Sequence, residues 1–190
     1  MNRLGIPTQG GPDGVTVLRQ DDNVDPLLHK QADCISTMTY NEYWQVIDAG
    51  IPANQLVVFK YENEGVATLE DGLYTLEGNL KNPVMVDKLA RFVRASMKGW
   101  DWAVANQAEA VQIVLNNDAT GVQTAMHQTR MLSEIAKLVG VNPKGTGWLD
   151  PAAYHRTVKI LLSGRSTPVI TRIPEGAWTH DIFDKAMAVQ

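Results

Sequence analysis

Cysteine is nearly missing from this 190-residue chain: Cys34 stands alone. A single thiol excludes an intramolecular disulfide and any cysteine-based zinc site. The histidines, His29, His127, His155 and His180, show no HxH or HExxH spacing, so no metal site is expected. Basic clusters are lacking too. With a net charge of −4 and a pI near 5.5, nothing is arranged to displace phosphate counterions, so no nucleic-acid partner is expected. Apolar runs fall far short of the 18 residues a membrane span needs. No signal peptide is recognisable at the start.

What is present is ordinary for a globular protein. Hydrophobic residues make up 44% and charged residues 20%, and a chain of this size is expected to bury about 70% of its extended surface. Cys34 lies in the strand-like run 32–38, which predicts a buried, inert thiol.

The chain divides into two textures. Residues 1–80 read as β/α. Residues 1–7 resemble a last helical turn stopped by Gly5 and Pro7. Strands are predicted at 15–18, 32–38 and 56–59, with short helices at 23–31 and 42–49 between them. That alternation predicts right-handed crossovers and a mainly parallel sheet. Residues 81–190 read as helical. Asn82-Pro83 supplies an N-cap with proline at the first helical position. Val86, Leu89, Val93, Met97, Trp100 and Val104 then form one stripe, opposite Asp87, Arg91, Arg94, Lys98 and Asp101. Asn106 to Glu109 resembles a capping box. A third helix is predicted over 120–140, and a fourth from Asp150-Pro151 to a stop at Gly164. A last one begins near Thr179, where His180 docks on the core. Residues 61–75 read either as a crossover between two lobes or as a solvated loop.

The segment Thr39-Tyr40-Asn41-Glu42-Tyr43 poses the functional question. It follows directly on the run 32–38, where the chain would leave a sheet. Ligands of open α/β sheets sit outside the carboxyl ends of the strands. Glu42 could meet an amino or ammonium group, Tyr40 could stack on a ring and Asn41 could donate or accept. The helix N-terminus there would equally suit an anion. The alternative is purely structural: Thr39 caps the helix and Glu42 completes a capping box. Asn63, Glu64, Glu70 and Asp71 at the crossover could line a cleft or simply be solvated.

The stretches VDPLLHKQADCISTMTYNEY, NEGVATLEDGLYT and NPVMVDKLARFVRASMKGWDWAVANQAEAVQIVL occur in that order. They are followed by GWLDPAAYHRTVKILL and PEGAWTHDIFDKA. Together they resemble the carboxy-terminal two-thirds or so of the NMT1/THI5-like (SsuA/THI5) substrate-binding proteins. The resemblance implies a partial periplasmic-binding-protein-like (type II) fold. Residues 1–65 would form a partial β/α region of lobe two, 66–80 a crossover or hinge, and 81–190 a helical region packing on lobe one. It implies a non-catalytic solute-binding component of an ABC import system, without cofactor, for a solute such as a thiamine pyrimidine precursor. Thr39, Tyr40, Asn41, Glu42, Asn63 and Glu64 would be its ligand-binding residues.

Further expectations follow from the resemblance. The partner would be an ABC permease in the full-length parent, whose location would be periplasmic or extracellular and membrane-associated. Nothing here corresponds to the family's amino-terminal stretch, so the chain is expected to be either a fragment or a shortened relative. A homo-oligomer would bury helix faces left uncovered, such as that of Val86, Leu89 and Val93. Two other functions stay open: a pyridoxal-phosphate-dependent pyrimidine synthase of the THI5 type, and a cytoplasmic sensor or assembly protein reusing a binding-protein lobe.

Overall fold

In the computed structural model, which describes residues 1, 4–163 and 168–188, the ordered architecture is helical. The elements are α1 (Asp25–Leu28), α2 (Glu42–Asp48), a 3-10 turn (Ala53–Gln55), α3 (Glu77–Leu80), α4 (Pro83–Ala105), α5 (Gln107–Asn116), α6 (Ala125–Ile135), α7 (Pro151–Leu162) and α8 (Asp181–Ala188). None is long and apolar enough to cross a membrane.

The expected parallel sheet is absent among the described residues, a correction to the fold class. One isolated antiparallel bridge, Gln9 to Thr16, closes a turn instead. There Gly10 N–H donates to the Val15 carbonyl and Val15 N–H to the Pro7 carbonyl, each at 2.9 Å. The turn is so tight that a Cβ on Gly14 would meet the Gly10 carbonyl oxygen at 2.4 Å. Segments 32–38 and 56–59 carry strand-like sequence but form no ladder among the described residues, and segment 15–18 has only that one bridge; a strand without a ladder is marginal. Val57, Val58 and Phe59 are accordingly 81%, 51% and 65% exposed. Within 32–38, the Gln20 side chain takes the part of a missing strand. Its Nε2 donates to the Ser36 carbonyl at 2.8 Å and its Oε1 accepts from Ser36 N–H at 2.9 Å. Cys34 is exposed, not buried as its run predicted, because no second layer covers that run.

Two helices, α4 and α7, form where their caps say. Asn82 Oδ1 accepts from Val84 N–H at 3.0 Å and Met85 N–H at 3.4 Å, and Asp150 Oδ1 accepts from Ala152 N–H at 2.9 Å. Asn106 does not form its expected box. It ends α4 and begins α5 at once, and its Nδ2 turns back to the Trp102 carbonyl at 2.8 Å. The third helix starts five residues late, at Ala125, with Thr124 as its cap. Residues 118–123 form a turn around Asp118 first. The predicted stop at Gly164 lies outside the described residues, as do Asn2 and Arg3 of the opening turn. In that turn Ile6 N–H still closes back to the Met1 carbonyl and Gly5 is left-handed.

Two packing centres organise the molecule. In the first, α8 lies on α4 with Ala90 and Ala186 each 1% exposed, so small side chains let the axes approach. Arg94 Nε donates to the Ala186 carbonyl at 2.7 Å near the α8 C-terminus, where a cation is favoured. In the second, α5 packs on α6 and α4, burying Ala110 and Val111. Trp100, expected in the core, stays 41% exposed on an apolar groove of about 400 Å³ with Ala103, Val111, Met131, Leu132 and Ile135. A compact chain of this mass would expose about 9,000 Å². This one exposes 13,870 Å², so the expected burial is not reached.

Candidate functional site

The lip at 39–43 is held by Glu42. Its Oε2 accepts from Met38 N–H at 2.8 Å and its Oε1 from Asn41 Nδ2 at 2.9 Å. The side chain thus reaches back over the helix start. The cap position belongs to Asn41, not Thr39, and Thr39 forms no capping box. Thr39 itself is exposed, while Tyr40, Asn41 and Glu42 are half-buried.

The crossover comes to this lip. Asp71 lies beside the Tyr40 side chain, whose hydroxyl is pushed above the usual phenol range. Desolvation contributes most to that rise, followed by the charges of Asp71, Glu42 and Glu70. A phenol flanked by carboxylates resists ionising because a second negative charge would be created beside existing ones. The segment is pinned from below by α7. Leu69 N–H donates to Thr157 Oγ1 at 2.9 Å and Arg156 Nε to the Ala67 carbonyl at 3.2 Å. Asn63 and Glu64 sit farther along, in the turn closed by Val66 N–H to the Tyr61 carbonyl at 3.0 Å. Tyr61 brings that turn against the run 32–38 through its hydroxyl, 3.5 Å from Ser36 Oγ.

Behind the lip, α2 meets α6 through polar side chains. His127 Nε2 is 3.0 Å from Asn41 Oδ1, and its Nδ1 is 3.4 Å from Asp48 Oδ2. Arg130 Nη1 donates to Asp48 Oδ1 while its guanidinium lies 4.9 Å from the Trp44 ring centre. This pairing holds the Asp48 carboxyl below the usual carboxylate range, the Arg130 hydrogen bond being the main cause. Trp44 Nε1 is buried with no protein partner among the described residues. Sequence reading missed Asp48, His127 and Arg130 as a group. A single signal existed: Asn41 and Asp48 are seven apart, which places them on one helix face.

His180 is structural, as expected of a docking residue. It stacks on Trp148 with ring centres 4.8 Å apart and an interplanar angle of 21°, and its Nε2 is 2.8 Å from the Leu149 carbonyl. Among the described residues no group of three or more acidic, histidine or cysteine side chains is placed to hold a metal ion.

The arrangement joins the lip and the crossover in one unit, and comparison with known proteins covers the same unit. A family profile described as NMT1/THI5 like matches residues 6–110. The match takes in the lip, the crossover and α4. Segments 147–162 and 174–186 lie beyond it. No curated protein and no solved structure matches the chain. The family holds solute-binding proteins, typically periplasmic, and THI5-type synthases, so membership alone sets neither substrate nor role. With more than half its length matched, the chain belongs to the NMT1/THI5-like family.

Proposed function

We propose that the chain is the solute-binding component, or part of one, of an ABC import system, and that its ligand is a small amino-substituted heterocycle such as a thiamine pyrimidine precursor. What supports this reading is the negative charge of Asp71, Glu42 and Glu70 felt at Tyr40, with Glu42 itself tied to Met38 N–H and Asn41. A ring amine beside such carboxylates gains charge-assisted hydrogen bonds, and Tyr40 offers a face for stacking. The same carboxylates disfavour a sulfonate, which would bring like charge to the lip. Thr39, Tyr40, Asn41 and Glu42 form the proposed contact set, with Asn63 and Glu64 on the flanking turn. Residues 66–80 are the proposed hinge between 1–65 and 81–190. The proposed partner is an ABC permease, at a periplasmic or extracellular, membrane-associated location.

Magnitudes limit what this lip achieves by itself. A micromolar complex needs about 8 kcal/mol. One charge-assisted hydrogen bond contributes about 1.5–3 kcal/mol and a stack about 1 kcal/mol beyond burial. The 190-residue chain is therefore expected to bind more weakly than micromolar. Amide and side-chain NMR during titration with 4-amino-5-hydroxymethyl-2-methylpyrimidine tests the assignment. Saturable shifts at Tyr40, Glu42 and Asp71, absent with methanesulfonate, support it. Unmoved lip signals at millimolar pyrimidine, or a preference for the sulfonate, overturn it.

A further inference from the structure

The α2–α6 junction carries a hydrogen-bond inconsistency that a single proton resolves. Asn41 Nδ2 donates to Glu42 Oε1 at 2.9 Å, and Asn41 Oδ1 accepts from Gln45 Nε2 at 3.3 Å. A carboxylate can only accept, so reversing the Asn41 amide would set oxygen against oxygen. The amide oxygen is therefore the atom facing His127 Nε2 at 3.0 Å, and Nε2 must carry hydrogen. On the opposite edge of the ring, Nδ1 faces Asp48 Oδ2 at 3.4 Å, again an acceptor. Neutral imidazole has one N–H and imidazolium has two. The ring is 13% exposed and the Asp48 side chain 25%, so water competes weakly for either bond.

We propose that His127 is a proton-operated latch: as imidazolium it ties both ends of α2 to the first turn of α6, and as neutral imidazole it releases the Asp48 end. Asn41 and Asp48 lie two helical turns apart on one face of α2, and the ring spans them. The charged groups around it are few. Asp48 faces it directly, and Arg130 shares that carboxylate from α6. Glu42 acts through Asn41. From α5, the other helix on α6, the charged side chain is Glu109, and no described bond joins it to His127. When the ring loses its proton, Arg130 keeps Asp48 partly tied, so the release is a loosening of the junction and not its loss. Because the Nε2 bond to Asn41 is kept and Glu42 holds Met38 N–H, the lip end of α2 stays tied while the Asp48 end loosens. The inference rests on the α2–α6 geometry and stands whether or not the lip binds a solute.

The test uses the full chain, ¹⁵N-labelled, from pH 5 to 8.5. At pH 5.5 both His127 ring nitrogens are expected to read as protonated in long-range ¹H–¹⁵N spectra. The amides of residues 41–48 and 125–130 are expected to shift with the same midpoint as the ring. H127Q is expected to abolish those amide shifts. D48N retains the ring and its Asn41 bond, and is expected to remove the shifts at Ile47 and Ala49 alone. One unprotonated ring nitrogen at pH 5.5 overturns the latch. So do α2 amides that titrate unchanged in either variant.

Discussion

Glu42 shows how one side chain can close a helix start that its neighbours leave open. Thr39 lies too early to cap, Asn41 turns its amide toward Glu42 and His127, and Glu42 reaches back to Met38 N–H at 2.8 Å. Removing the carboxylate leaves that half-buried donor unpaired. E42A is expected to cost about 1 kcal/mol, read as a lower thermal midpoint at pH 7. An unchanged midpoint would mean that water replaces the carboxylate freely. Asp118 does similar work on an exposed turn. Its carboxylate accepts from Thr120 Oγ1 at 2.6 Å, Thr120 N–H at 2.9 Å and Gln123 N–H at 2.8 Å. Its acid form is held off to a pKa of about 2, the Thr120 hydroxyl being the main cause. A depressed folded value means that the bonds stabilise fully above the ordinary carboxylate range and are lost as pH falls from about 4 toward 2. D118N is expected to flatten that part of the stability–pH curve. A curve of unchanged slope in the variant would count against the turn as its source.

At the scale of elements, the long helix α4 is the scaffold. Its cap, its stripe and its closeness to α8 act together, for Ala90 and Ala186 are both 1% exposed where the two helices meet. A larger side chain there must push the axes apart and lengthen the Arg94 bond to the Ala186 carbonyl. A90L is expected to destabilise by about 1–3 kcal/mol, read as a lower urea midpoint, with helicity retained elsewhere. A wild-type midpoint would show that α8 docks more loosely than its burial implies. The contrast with the α2–α6 junction is physical. Alanine contacts hold at any pH, whereas a junction made from Asp48, His127 and Asn41 depends on proton occupancy.

Across the whole molecule, surface area is the dominant fact. The chain exposes 13,870 Å², about half again what its mass requires when compact. Val57, Phe59, Leu73, Tyr74 and Leu76 are more than 60% exposed along the unladdered segments and the crossover. The excess of total area over the compact value surpasses the ~1,600 Å² that a stable pairwise interface covers, and large exposed apolar side chains tend to find partners. Multi-angle light scattering is expected to find a homo-oligomer at micromolar concentration. A stable monomer with little dye binding to apolar surface would refute this.

Local chemistry was legible from the residues alone. Asn82-Pro83 and Asp150-Pro151 announced α4 and α7, and Thr179-His180 announced the docking of α8, because a helix satisfies its hydrogen bonds within its own segment and needs only its own caps and stripe. The lip at 39–43 was equally visible as a polar break after an apolar run. Its proximity to Asp71 and to His127 was not, since 86 residues separate His127 from Asn41 and no local pattern encodes that meeting. The sheet failed for the matching reason. An apolar run such as 56–59 states which side chains want cover, but a strand borrows its hydrogen bonds from another strand, and only the folded arrangement decides whether one lies alongside. Residue order by itself determined the main helices, the caps of α4 and α7, and the family. Tertiary structure decided pairing, exposure and the polar junction, because each of these depends on what a distant segment brings near.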